Sequence, residues 1–238
     1  MFRTLSIVLV SSLVFSVAPL AQRGADQGPQ VDEVFSKWTS STPGCAVGVA
    51  VGGQPVLAKA YGMADLEHDI RNTPDTIFEA GSVSKQFTAA AVALLARDGK
   101  LSLEDPVRKY IPEVPDYGAP LTIRHMLQHM SGLRDWGNLE GIAGWPRGTR
   151  VYTHDHVLDI VSRQKALNFT PGQTYSYSNT GYNLAAIIVE RVSGMPFAQF
   201  EKARIFDPLS IASSKSPSCK APITRRTDSS ALSCTCRM

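Results

Sequence analysis

The segment Gln86-Phe87-Thr88-Ala89-Ala90-Ala91-Val92-Ala93-Leu94-Leu95-Ala96 has few conformations open to it. It is apolar, rich in alanine and free of glycine and proline, so a helix is the predicted state. Asp98-Gly99 follows, with glycine suited to the left-handed position past a helix end. Directly ahead stands Gly81-Ser82-Val83-Ser84-Lys85. Ser82 would sit in the first turn, where unpaired N–H groups favour a developing oxyanion. Lys85, three residues on, shares its helical face within reach of the hydroxyl. A partly desolvated amine beside a serine makes a workable nucleophile and base for acyl transfer. The other reading is that Ser82 is an ordinary helix cap. The spacing by itself is weak: Ser162-Arg163-Gln164-Lys165 repeats it in a polar setting that reads as a solvated helix face.

Around this segment the chain alternates short apolar runs with turn residues. Residues 44–51 alternate small and branched apolar side chains, turn at Gly52-Gly53 and resume at 55–61, predicting a β-hairpin. Residues 73–76 are loop-like, and the prolines between 101 and 120 predict loops and short turns. Thr122 should cap a helix with Ile123, Met126 and Leu127 on one face, ending at Ser131-Gly132. Further helices are predicted over 154–165 and 180–192, and from Pro196 to about 205.

The two ends differ from this body. Of 238 residues, 24 are basic and 21 acidic, a net charge of +3. Residues 209–238 hold five basic residues (Lys215, Lys220, Arg225, Arg226, Arg237) and one acid (Asp228), so the preceding 208 carry a net −1. The body has no basic patch, which argues against nucleic acid. At the start, Met1-Phe2-Arg3 precedes an apolar run over 5–20, with Ala18 and Ala21 as small residues near a cleavage point. This pattern predicts a signal peptide over 1–21 and a periplasmic or secreted mature chain. The alternative is a membrane anchor, for which the run is short, since a span needs about 20 residues. No stable membrane span is expected after cleavage. The tail, 209–238, is dominated by Ser, Thr, Pro and Cys, with Cys219, Cys234 and Cys236 in no zinc-binding spacing. It reads as a flexible terminus or as a frameshift product. Cys45 reads as a small buried side chain.

Two more clusters carry polar chemistry. Tyr175-Ser176-Tyr177-Ser178-Asn179 lies between Pro171-Gly172 and a helix. A loop tyrosine beside a nucleophile can shuttle a proton, and an asparagine offers both a donor and an acceptor to a substrate amide. Strand-edge aromatics followed by an asparagine cap are the alternative. His125 and His129, four apart on one predicted helix, invite a metal reading. No glutamate occupies the H-E-x-x-H position, which favours structural histidines.

Together these segments resemble the serine β-lactamase and penicillin-binding-protein family, in the branch of class C β-lactamases, D-alanyl-D-alanine carboxypeptidases and related esterases. The carrying motifs are Pro43-Gly44-Cys45-Ala46-Val47-Gly48-Val49, Phe78-Glu79-Ala80-Gly81-Ser82-Val83-Ser84-Lys85-Gln86-Phe87, Leu101-Ser102-Leu103-Glu104-Asp105-Pro106-Val107, Ile123-Arg124-His125-Met126-Leu127-Gln128-His129-Met130-Ser131-Gly132-Leu133, Tyr177-Ser178-Asn179-Thr180-Gly181-Tyr182 and Phe206-Asp207-Pro208-Leu209. The resemblance implies an α+β fold of the β-lactamase/transpeptidase type. An antiparallel sheet flanked by helices joins a mostly helical region, here about 98–175. It implies Ser82 as the acylated nucleophile, Lys85 as its activating partner, Tyr177 as a proton-transfer residue and Asn179 as a substrate-amide contact. The 125–132 stretch reads as scaffold. No metal or organic cofactor is implied. The substrate class is a β-lactam, a D-Ala-D-Ala peptide or an ester.

The family's third motif, Lys-Thr-Gly or His-x-Gly on a late strand, has no counterpart in the sequence. The expectation is an incomplete domain over 22–208, with later sheet strands missing and an unmatched, disordered tail over 209–238. That domain would be a serine hydrolase impaired by truncation. The alternative is a non-catalytic pseudoenzyme or penicillin-binding relic, and a hydrolase using His125 and His129 on a metal is a distant third.

Overall fold

A computed structural model of the chain describes residues 28–145 and 151–211. The predicted signal peptide and residues 212–238 of the tail lie outside the described residues. The chain forms two compact units that divide between Thr76 and Ile77. Among the described residues no helix is long and apolar enough to cross a membrane.

The first unit opens with α1 (Gly28–Val34), which the sequence reading did not anticipate. The predicted hairpin follows as β1 (Cys45–Val51) and β2 (Gln54–Tyr61), paired antiparallel from Cys45 opposite Tyr61 to Val51 opposite Gln54. Gly52 and Gly53 both take positive φ, 59° and 78°, the backbone that a two-residue turn needs to match strand twist. A short second ladder joins β3 (Met63–Asp65) to β4 (Ile70–Arg71). Asp32 of α1 binds β2 through Lys59 Nζ (2.8 Å) and the Tyr61 hydroxyl (2.8 Å).

The second unit is helical, and its order follows from which runs are apolar on every side. In α6 (Asn179–Ser193) the consecutive residues Leu184, Ala185, Ala186, Ile187, Ile188 and Val189 are all buried. A helix covered on all faces must be central. α2 (Lys85–Arg97) packs on it through Ala91, Val92 and Leu95. α2 stops at Asp98-Gly99 as predicted. α3 (Ile123–Leu127), α5 (His154–Ser162) and α7 (Phe197–Glu201) also pack against α6, and Phe200 is 2% exposed. α7 continues into a π-turn, Lys202–Phe206, whose Phe206 ring meets Phe87 edge-on at 5.1 Å. Ile211 also packs against this core.

Two helix predictions need correction at their ends, and one helix was missed. α3 ends at Leu127, not at Ser131-Gly132. The Met130 N–H donates to His125 O (2.8 Å) and the His129 N–H to Met126 O (3.1 Å), closing the helix with a left-handed residue past its end. That residue is His129, at φ 57°, in a position where glycine is usual. α5 stops at Ser162, whose hydroxyl donates to Asp159 O, rather than reaching Lys165. α4 (Trp136–Ile142) was not predicted because Gly137 and Gly141 dilute its pattern.

Thr122 caps α3 as expected, and the His125 ring completes a capping box by accepting the Thr122 N–H. Its approach is set from the 101–107 loop, where the Val107 N–H donates to Leu121 O and the Ile123 N–H to Asp105 O. The Asp105 carboxylate pins this loop by accepting from the Tyr110 hydroxyl (2.5 Å), the Ser102 N–H (2.8 Å) and Lys109 (3.0 Å). Tyr110 first, then the Ser102 N–H and Lys109, hold its pKa down to about 2, against an ordinary 3.8. A carboxyl depressed in the folded state stabilises fully above its unfolded pKa and loses that contribution as pH falls through the folded value. The melting midpoint of Asp105→Asn should therefore lie below that of the wild type near neutrality. The gap should close between pH 3.8 and pH 2. A gap independent of pH would remove the ionic role of Asp105.

Candidate active site

Ser82 lies in a 3₁₀ turn, Gly81–Ser84, that leads directly into α2. Its hydroxyl is not a helix cap. It contacts the Tyr177 hydroxyl at 2.5 Å and accepts from Lys85 Nζ at 3.1 Å. Lys85, the first residue of α2, also donates to Asn179 Oδ1 at 2.9 Å. All four sequence-predicted residues therefore converge, two from the head of α2 and two from the head of α6. Tyr177 and Asn179 are 95 and 94 residues from their partners in sequence. Asn179 is the first residue of α6, with Ser178 in the capping position, so it serves the cluster and does not cap the helix.

The electrostatics suit proton transfer. Burial works to raise the Tyr177 phenol, but Lys85 and Ser82 beside its oxygen outweigh that and leave its pKa below the ordinary value. The Lys85 ammonium also lies 5.0 Å from the Tyr177 ring centroid and 5.6 Å from that of Tyr182. With Lys85 donating to the Ser82 oxygen, the serine hydrogen is free to point at the Tyr177 oxygen. The cluster can thus strip a hydroxyl proton and return it to a leaving group. Ser82 and Tyr177 are exposed, so a substrate can reach them.

Two supports come from residues that the sequence reading did not place in the site. The His129 ring lies 4.4 Å from the Tyr177 ring, tilted by 30°, and its Nδ1 accepts the Ser178 N–H at 3.2 Å. Burial, and then the Lys85 charge, push its pKa below the ordinary value, which keeps Nδ1 available as an acceptor. This double hold explains why a histidine tolerates left-handed backbone here. Asp135, 9% exposed, caps α4 through Oδ1, which accepts the Asn138 N–H at 3.0 Å. Its Oδ2 accepts both the Asn179 N–H (2.6 Å) and Asn179 Nδ2 (2.8 Å). An aspartate just ahead of Trp136 was a readable cap signal for α4. Nothing local pointed to its contact with Asn179.

The metal reading of His125 and His129 rested on one helix carrying both. His129 lies beyond that helix, and each Nδ1 faces a different backbone N–H, that of Thr122 or of Ser178. Among the described residues, no group of three or more His, Cys, Asp or Glu is placed to hold a metal ion. The second Ser-x-x-Lys copy starts at the last residue of α5 and runs past its end, with Ser162, Arg163 and Lys165 exposed.

Known proteins share this arrangement of chain. A family model described as Beta-lactamase matches residues 23–233. Penicillin-binding protein 4* of Bacillus subtilis (strain 168) is 36% identical over 159 residues, 67% of this chain and 35% of that protein. The D-aminopeptidase of Brucella canis is 34% identical over 167 residues, 70% of this chain and 31% of that protein. The solved structure of the octameric penicillin-binding protein homologue from Pyrococcus abyssi aligns with a TM-score of 0.66 at 30% identity, over 79% of this chain and 43% of that one. The chain spans only about a third of the length of these curated relatives. Since the family match runs through nearly all of the sequence, and Ser82, Lys85, Tyr177 and Asn179 meet at one place in the fold, the chain belongs to the Beta-lactamase family of serine hydrolases.

Proposed function

We propose that the protein forms an acyl-enzyme at Ser82 with β-lactams and with D-amino-acid peptides, amides or esters. The observation that carries this reading is a single hydroxyl within hydrogen-bonding distance of both Lys85 Nζ and the Tyr177 oxygen. In this reading the Ser82 oxygen bonds to the acyl carbon as the scissile C–N or C–O bond breaks. The serine proton passes through Tyr177, with Lys85 holding the charge, to the departing nitrogen or oxygen. Asn179 contacts the substrate amide. The relatives' names, a penicillin-binding protein and a D-aminopeptidase, support the substrate class. Residues 1–21 direct export to the periplasm or medium.

Turnover by residues 1–238 alone is proposed to be slow. The sequence carries no Lys-Ser/Thr-Gly or His-x-Gly, the family element that adds the second backbone donor of the oxyanion hole. One missing donor costs about 2.7–4 kcal/mol of transition-state stabilisation. The alternative is a penicillin-binding protein without hydrolysis. The full chain exposed to benzylpenicillin should gain one penicilloyl mass on the peptide holding Ser82, while chromogenic β-lactam is consumed only slowly. Fast turnover would overturn the impaired reading. No adduct, together with no cleavage of D-alanyl amides or esters, would overturn both.

A further inference from the structure

We infer that Asp135 is a positioning residue that fixes which end of the Asn179 amide faces Lys85. An amide side chain has two unlike ends, an acceptor oxygen and a donor NH2. Lys85 can only donate, so it needs Oδ1, and that contact is 2.9 Å. An ionised carboxylate can only accept, so Asp135 Oδ2 needs Nδ2, and that contact is 2.8 Å. The two demands agree on a single rotamer. Rotating the amide would set donor against donor at Lys85 and oxygen against oxygen at Asp135. The same Oδ2 also accepts the Asn179 backbone N–H at 2.6 Å, anchoring the residue at both its main chain and its side chain.

The result is a chain of alternating charge and dipole, from Asp135 through Asn179 and Lys85 to Ser82. Because Asp135 is nearly buried, its charge is little screened and acts along this chain. The two carboxylate oxygens divide their work. Oδ1 caps α4 at the Asn138 N–H, whereas Oδ2 serves Asn179 alone. Asp135→Asn can therefore keep the cap while placing an NH2 group against the Asn179 NH2. The site effect and the folding effect separate in one isosteric change.

The inference rests on the acyl-enzyme reading for its kinetic test, and a second measurement frees it from that reading. Acylation by fluorescent penicillin is followed in the wild type, Asp135→Asn, Asn179→Ala and the double variant. Asp135→Asn should slow acylation by about tenfold or more, within the range for groups in direct contact. It should slow the Asn179→Ala protein by no more than about twofold, since Asp135 would act through that amide alone. Equal losses in both backgrounds would make Asp135 merely structural and overturn the inference. Independently, the Asn179 side-chain amide protons, followed by NMR in uniformly 15N-labelled wild type, should exchange slowly, and in Asp135→Asn at the rate of a free amide. Free exchange in the wild type overturns the inference even if the variant fails to fold. If the wild type takes no penicillin while its amide is protected, the acyl-enzyme reading fails and the positioning role stands.

Discussion

Ser82→Ala should abolish covalent labelling by penicillin altogether while leaving the melting midpoint nearly unchanged. The side chain is exposed and contributes only two hydrogen bonds, to Lys85 and Tyr177. Substitutions at such surface positions usually shift stability by about 0.5 kcal/mol or less. No other hydroxyl is described with both a lysine amine and a tyrosine oxygen in reach, so no second nucleophile is ready to take over. Lys85→Ala should retain a trace of labelling, slower by about 100- to 10,000-fold, because the charge that holds down the Tyr177 phenol and readies it for proton transfer is lost but Ser82 remains. Intact-mass measurement after a fixed exposure checks both. An unchanged adduct in the Ser82→Ala protein would place the nucleophile elsewhere.

Gly132→Ala should be the most damaging small substitution in the second unit. Gly132 has φ 71°, and a Cβ there would lie 2.2 Å from the Phe169 carbonyl oxygen. Neither side can yield cheaply, because backbone meets backbone. The two segments are laced by the Asn168 N–H on Gly132 O and the Gly172 N–H on Met130 O, both at 2.8 Å. Relieving the clash breaks these bonds or strains the alanine, a loss of about 3 kcal/mol or more. The same segment carries His129 and Asp135, so acylation should fall further than the folded fraction does. Gly141→Ala is the control. It lies in α4 with open space around its Cβ position, and alanine there should be neutral or stabilising by up to about 1 kcal/mol. Thermal melts of the two variants compare them directly. Similar midpoints would mean that the 130–133 segment can shift away from Phe169.

The readable parts of this protein are those held together over short separations. The hairpin around Gly52-Gly53, the length of α2, the Thr122 cap and the pairing of Ser82 with Lys85 all depend on residues within a few positions of each other. The ordered motifs also carried the family and its fold, which the comparisons bear out. Tyr177 and Asn179 stood out locally as a polar cluster, but only the resemblance joined them to Ser82 and Lys85, since nothing near them in sequence says that they meet.

Tertiary structure decided the rest. His129 was read on a helix face. It is instead a left-handed residue stacked on Tyr177, because an aromatic contact and the Ser178 N–H outweigh its backbone preference. Asp135 could be read locally as no more than a cap. Its second oxygen reaches Asn179, 44 residues onward, only because α6 is buried on all sides and its first turn is carried against the loop before α4. Local hydrogen bonds and periodicity are properties of a short stretch of chain. Which far side chains share a buried charge is a property of packing, and it exists only once the helices have closed around α6.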